Sequence, residues 1–555
     1  MIEFILGDIS TGEFPQNNLQ TNFFAENGIN VTTQNLFNGQ IGNRTPLFNE
    51  ESTGLPNHYQ YKLTDSLALS VIVSTLDSKF GFKELSSLFE SASNKPERSL
   101  ERVLDILGVI LSGSQLPDTP TSDDAGSEGR KVYHSNLLRL RSLLFVDATS
   151  LTPVLKDEYR NLQIVDFDTL SYSSKNNDEA GYAYRYSLVN MVPFAVLGGK
   201  NLYEAFNNDG LLDAENFSEQ YLADRTAMLH WLTKYNEEDT DYGDLLTTND
   251  INGNFIFTDL ASSINNFKDL ALQIDGVDGE LPYQHIKFGT EYDDGIAGAA
   301  NDDRLYGGGG KDSILGKDGD DYIEGGTGND TMTGGDGDDT FIVQDSGDKV
   351  IELEGEGDDT IYSHVDFTLT DNNYVEILRA VTTEDLQQEI TDNVDLTGNN
   401  TDNSLYGNSQ DNTLDGGDGD DDLFGGEGDD TLIGGSDDGN DYLDGGKDND
   451  TMTGGAGNDT YVVDTLGDIV FENKDEGNDR IISSINYTLL DTQDIEILQL
   501  AETNGGGVPA FNATGNELDN TIYGNSQHNV ILGEDGSDHL FGGAGNDIIY
   551  GGDQK

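Results

Sequence analysis

The sequence predicts a multidomain chain of two kinds of structure: a helix-rich region over residues 1–288, then a strand-forming solenoid over residues 289–555. Three observations predict it. From Gly289 onward the chain falls into nine-residue units in one register, and a fixed short period marks stacked repeats. The tail holds 63 acidic residues against 9 basic ones, net −54 of the chain's −75, with 48 of its 67 glycines. A chain of that composition stays unfolded unless something neutralises its charge. The region before Gly289 instead carries apolar residues at helical intervals.

In the first region, Thr64–Leu76 and Glu101–Leu111 repeat apolar residues every three or four positions. Lys131–Phe145 and Glu219–Tyr235 do the same, the latter behind a Ser218 N-cap. Residues 114–130 form a polar loop between residues 1–113 and a helical connector over 131–288. Trp231, the only tryptophan, is assigned to the core. The longest apolar stretches, Leu67–Leu76 and Val103–Leu111, fall short of the roughly 18 residues of a membrane span, so no transmembrane segment is expected. MIEFILGDISTGEF has no basic segment leading into an apolar one, so no signal peptide is expected either.

Several chemistries drop out. With no cysteine there are no disulfides, no thiol catalysis and no cysteine-bound zinc. The acidity of the tail excludes nucleic acid and anionic membrane surfaces as its partners. TNDINGNFIFTD (248–259) has Asp250, Asn252, Gly253 and Asp259 in EF-hand order, but threonine comes first and no glutamate closes it, so it reads as an Asn-Gly turn into a strand. Gly307–Lys311 suggests a phosphate loop, yet Asp312 stands where Ser or Thr is needed.

The first run of repeats is GTEYDDGIA, GAANDDRLY, GGGGKDSIL, GKDGDDYIE, GGTGNDTMT and GGDGDDTFI, ending at Ile342. The second starts at Gly398 with GNNTDNSLY and GNSQDNTLD, and continues through GGDGDDDLF, GGEGDDTLI, the longer GGSDDGNDYLD, GGKDNDTMT and GGAGNDTYV. The third starts at Gly515: GNELDNTIY, GNSQHNVIL, GEDGSDHLF and GGAGNDIIY. Each unit ends in a short strand with one inward apolar side chain, such as Ile314, Ile323, Met332 and Phe341. The glycine-rich part is a turn, with glycine where φ is positive or the backbone nears a ligand.

These units resemble the nonapeptide GGxGxDxUx (U a large apolar residue) of RTX, or hemolysin-type calcium-binding, proteins. The resemblance implies a parallel β-roll, two nonapeptides to a coil, so that residues 18 apart stack at about 4.8 Å. Asp294 then lies over Asp312, Asp312 over Asp330, Asp303 over Asp321 and Asp321 over Asp339. Carboxylates at that spacing repel by about 3.5 kcal/mol at an effective dielectric of ~20. A hard cation with many oxygen ligands relieves this, and Ca2+ fits better than the stricter, more hydrated Mg2+. The implied ligands are Asp294, Asp303, Asp312, Asp321, Asp330, Asp339, Asp421, Asp430, Asp441, Asp450, Asp459, Asp538 and Asp547. Backbone carbonyls of Gly307, Gly310, Gly325, Gly328, Gly334, Gly337, Gly416, Gly419, Gly425, Gly428, Gly454, Gly457, Gly542 and Gly545 complete them, for on the order of ten ions.

The expected modules are a first calcium roll (289–342), spacer coils (343–397), a second roll (398–462), further spacer coils (463–514) and a third roll (515–555). Asn403, Asn412, Asn520 and Asn529 replace the aspartate and are expected to cap the rolls as weak ligands. Lys317 and Asp448 replace glycines and put their turns in doubt. The spacers repeat each other at an offset of 120, with Asp348, Asp359 and Glu376 recurring as Asp468, Asp479 and Glu496. They are expected to continue the solenoid without metal-binding turns.

IGNRTPLFNEESTGLPNHYQYKLTDSLALSV (41–71) resembles the end of a lipase-like α/β-hydrolase domain found ahead of RTX repeats, and Tyr184–Phe288 resembles the connector that follows. That resemblance would make His58 a remnant catalytic histidine, oriented by Glu26 or Asp65. No GxSxG nucleophile elbow occurs, so the serine is expected upstream of this chain and activity of the chain alone is not. The function expected is that of an extracellular calcium-binding protein, secreted by type I machinery and folded by Ca2+ outside the cell. The alternatives are part of an RTX lipase, or a calcium-dependent adhesin or toxin-like protein.

Overall fold

The computed structural model describes residues 284–552 except 372, 383–392 and 503–511. It also describes residues 20–24, 30–34, 103, 106–113, 139–146, 154–170, 176–199, 202–207, 212–238 and 255–259. They belong to two compact units, Met1–Asn254 with Ser262–Ile274, and Phe255–Ala261 with Asp275–Lys555.

In the first unit, residues 106–112 and 139–144 are helical, overlapping two of the expected helices. A third expected helix runs Glu219–Glu238, and Ser218 Oγ accepts the Tyr221 N–H at 3.0 Å, the N-cap read from the sequence. The helix Glu179–Val189 has no clear apolar stripe. Gly181 and every residue from Ala183 to Leu188 are buried, including Arg185, whose Nε donates to the Leu212 carbonyl at 2.5 Å. A helix buried nearly all round escapes a periodicity test. The two helices meet where the Tyr184 hydroxyl lies 2.9 Å from Thr226 Oγ1. The strands of this unit pair antiparallel, Gln20–Phe24 with Asn30–Gln34 and Gln163–Asp166 with Phe194–Leu197. The segment Thr64–Leu76, the side chain of Trp231, and His58, Glu26 and Asp65 lie outside the described residues.

The second unit is a parallel β-solenoid. One face is a single 15-stranded sheet from Phe255–Asp259 through Gln284–Phe288 to His539–Phe541, and the opposite face is divided into sheets of four, six and four strands. Ile323 pairs with Leu305 and Phe341, and Met332 with Ile314 and Val350, so units 18 residues apart do stack. The inward residues expected from the repeat, Ile314, Ile323, Met332 and Phe341, are all fully buried in one continuous apolar core. Core formation needs only one large side chain per strand because each lies directly on the next.

One expectation changes and one is met. The solenoid begins at Phe255–Asp259, before the first nonapeptide, because that strand pairs in parallel with Gln284–Phe288. The spacers continue the solenoid, as expected: the strands Thr360–Ser363 and Ile377–Ala380 join Thr340–Val343 to Ser404–Tyr406 in the same sheet. The asparagine-led units therefore lie inside the array rather than at the ends of independent rolls.

Candidate metal centres

The turns are tied together by a ladder built from the position-six side chain. Asp294 N–H donates to Asp312 Oδ1 at 2.8 Å, Asp312 N–H to Asp330 Oδ1 at 2.8 Å, and Asp330 N–H to Asp348 Oδ1 at 2.9 Å. On the other edge Asp303, Asp321 and Asp339 donate in turn to Asp321, Asp339 and Asp359, at 2.6 to 2.8 Å. The expected columns of carboxylates are present, and each uses one oxygen to hold the coil before it.

What the second oxygen does depends on position two of the same unit. In nine units, those of Asp312, Asp321, Asp330, Asp339, Asp421, Asp430, Asp450, Asp459 and Asp538, Oδ2 is buried with no hydrogen-bond partner. All nine have positive φ at position two: Gly308, Gly326, Gly335, Gly417, Gly426, Gly446 and Gly455, and also Lys317 (104°) and Glu534 (67°). Where position two is Thr290, Ala299, Asn399, Asn408, Asn516 or Asn525, φ is not positive and its N–H donates to the position-six side chain instead, at 2.5 to 3.0 Å. The left-handed turn swings the donor away and leaves a bare carboxylate oxygen.

The asparagine units are thereby closed. In three of them the other amide atom donates across to the preceding coil: Asn403 Nδ2 to the Val375 carbonyl, Asn412 to Val394 and Asn520 to Ile495, each at 2.9 Å. Asp294 and Asp303, expected as ligands, also have closed turns, because Thr290 and Ala299 occupy their second oxygens. Near this first coil the Lys287 ammonium donates to the Ala297 carbonyl and Lys317 Nζ to the Gly298 carbonyl at 2.6 Å. Lys317 and Asp448, whose turns were in doubt, keep the left-handed backbone (φ 104° and 79°), so their units retain the open geometry despite a strained residue.

The open carboxylates are starved of positive charge. Burial, more than any neighbour, pushes Asp312 up to about 7 and Asp321 to about 8, and the next carboxylates of the column add to the rise against the backbone N–H bond. Asp421 is pushed up to about 8, and Asp339, Asp430, Asp441 and Asp450 to about 7, for the same first cause. Beside each bare oxygen lies the position-one glycine. A Cβ on Gly307 would strike both Asp312 Oδ2 and the Gly325 carbonyl oxygen of the next coil, and one on Gly416 would strike Asp421 Oδ2 and lie 2.7 Å from the Gly434 carbonyl oxygen. The position-one carbonyls Gly307, Gly325, Gly334, Gly416, Gly425, Gly454 and Gly542 thus face a position-six oxygen or the glycine beside it. Position-four carbonyls such as Gly310, Gly337, Gly419 and Gly457 press instead on the glycine above them, at Gly328, Gly357, Gly439 and Gly477. The donor set is anionic, buried and all oxygen, which is the chemistry of a Ca2+ site.

The spacers contribute residues that motif reading missed. Asp359 N–H donates to Glu376 Oε2, Asp459 N–H to Asp479 Oδ1 and Asp479 N–H to Glu496 Oε2, so the columns run on through them. Asp359 and Asp479 also keep a bare Oδ2. The expectation of metal-inert spacers does not match this continuity. The offset of 120, which carries Asp359 onto Asp479, was the signal that could have found it.

A parallel solenoid whose turns converge bare carboxylates and glycine carbonyls defines a cation-binding type of repeat protein. The family model of the RTX calcium-binding nonapeptide repeat matches residues 288–323, 315–345, 397–432, 435–464 and 514–549. The chain therefore carries RTX calcium-binding repeats. No curated protein matches the chain.

Proposed function

We propose that this chain is a secreted RTX protein whose solenoid folds on binding Ca2+ outside the cell, after export by type I machinery in a calcium-poor, unfolded form. The observation that carries this reading is the set of nine buried position-six oxygens with no partner. Each unmet oxygen costs about 1–3 kcal/mol, more when charged, so the fold requires a counter-ion. The ligands are those nine aspartates with position-one carbonyls of the coil above, joined by Asp441 and Asp547, and the count is on the order of ten ions. Binding to the folded state alone drives folding by mass action. The lipase-related alternative rests on His58, which lies outside the described residues, and on a chain with no nucleophile elbow. Circular dichroism and small-angle scattering during a calcium titration test the main reading. The tail should be expanded and poor in β-structure in chelator, and compact and β-rich at millimolar Ca2+ but not Mg2+. A tail already compact in excess chelator would refute it.

A further inference from the structure

At each junction between a calcium roll and its spacer, a glutamate from outside the nonapeptides enters the carboxylate column. One oxygen from each of Asp339, Glu352 and Asp359 lies within 4.8 Å of the others, and Asp459, Glu472 and Asp479 repeat the arrangement. Asp339 and Asp359 are 1 % and 0 % exposed, and the Oδ2 of each is buried without a partner. A Cβ on Gly334 would strike both Asp339 Oδ2 and Glu352 Oε1, so these two oxygens converge on one point. Glu352 is held there by the Gly334 N–H, which donates to Oε1 at 2.8 Å.

The two junctions differ by one side chain. Phe341 of the first is Tyr461 in the second, where the hydroxyl accepts the Gly454 N–H at 2.7 Å and donates to Glu472 Oε2. The tyrosine takes over the backbone donor that Glu352 binds directly, and it also occupies an oxygen of Glu472.

We propose that each junction is a further site for a hard divalent cation, with Glu352 and Glu472 as ligands outside the repeat, and that the first junction binds more tightly because Tyr461 competes for Glu472. Three carboxylates at this separation provide the charge and the hard oxygens that calcium selects. A neutral hydroxyl bonded to one of them must be displaced or must yield that oxygen before the ion is fully ligated. The inference rests on the reading that the column aspartates bind calcium.

Calorimetry and equilibrium dialysis of the full chain with calcium alone test it. Glu352→Gln keeps an acceptor for the Gly334 N–H but removes the charge, and should lose one bound ion while β-structure at saturating calcium persists. Tyr461→Phe should tighten the second junction several-fold, and Glu472→Gln should abolish that gain. Unchanged ion count and affinity in Glu352→Gln would overturn the proposal, whereas a wild-type chain that binds no calcium would overturn the underlying reading and the proposal together. If Glu352→Gln does not fold, anomalous scattering from calcium-soaked wild-type crystals decides: density among Asp339, Glu352 and Asp359 supports the site, and density confined to the glycine turns overturns it.

Discussion

The unit at 325–330, GGTGND, and the unit at 515–520, GNELDN, follow the same coil and present opposite chemistry. In the first, Gly326 has φ 91° and Asp330 Oδ2 is buried and bare. In the second, Asn516 N–H donates to Asn520 Oδ1, and Asn520 Nδ2 reaches the Ile495 carbonyl. One turn leaves a carboxylate oxygen open and the other is completed by an amide. Two residue choices, at positions two and six, decide whether a coil depends on a ligand or on itself, while strand pairing and the apolar core stay the same.

Acidity should separate the two kinds of coil most strongly, because it acts on every open turn at once. Open carboxylates such as Asp312 and Asp321 are raised to about 7 and 8 in the metal-free fold, well above the ordinary 3.8. Between about pH 4 and 8 the metal-free fold therefore binds more protons than the unfolded chain, and its stability rises as pH falls through that window. Calcium needs the deprotonated form, so its affinity should fall over the same range. A calcium affinity that is equal at pH 5 and pH 8 would break the comparison.

A single ligand comes next. Asp330→Ala removes a bare oxygen and also the acceptor for the Asp312 N–H, so calcium affinity in that column should drop at least tenfold by calorimetry. Asn520→Ala, at a position expected to matter little, should leave calcium binding intact yet cost about 1–3 kcal/mol in calcium-saturated denaturation, because the Asn516 N–H and the Ile495 carbonyl lose their partner. Loss of calcium binding in that variant would show that the asparagine coils are not closed. The smallest effect belongs to Lys317→Gly, which should relieve left-handed strain and raise stability by about 1 kcal/mol. A clear loss instead would mean that the Lys317 ammonium on the Gly298 carbonyl outweighs the strain.

Much of the solenoid was legible because its period is short and its contacts join equivalent positions. The spacing of 18 was enough to place Asp312 over Asp330 and Ile323 over Phe341. The closed turn of Asp303 was less accessible: its unit reads GAANDD, and only the backbone of Ala299 shows that a donor has taken the oxygen. Glu352 was missed because it joins Asp339 from the opposite strand of a coil with no repeat motif. The helix Glu179–Val189 hid behind uniform burial, with Arg185 buried against the Leu212 carbonyl. For Glu352 and Arg185 the missing information was a partner distant in sequence, and for Asp303 it was the backbone of its own turn.

The unit GGSDDGNDYLD carries two more residues than its neighbours, yet Asp421 N–H still donates to Asp441 Oδ1 at 2.9 Å and Leu443 still pairs with Leu423. The surplus is absorbed in the turn at Asp437 and Asp438, where Asp437 Oδ2 accepts the Gly419 N–H at 3.2 Å and Asp438 is exposed. In the language of descent, the coil tolerates small in-frame insertions at that point while ladder and core are inherited unchanged. A single residue inserted between Asp441 and Leu443 would turn the apolar side chain outward and be selected against. Lineages of this chain should therefore differ freely in turn length and in the number of whole coils, and hardly at all in the two-residue step from position six to position eight.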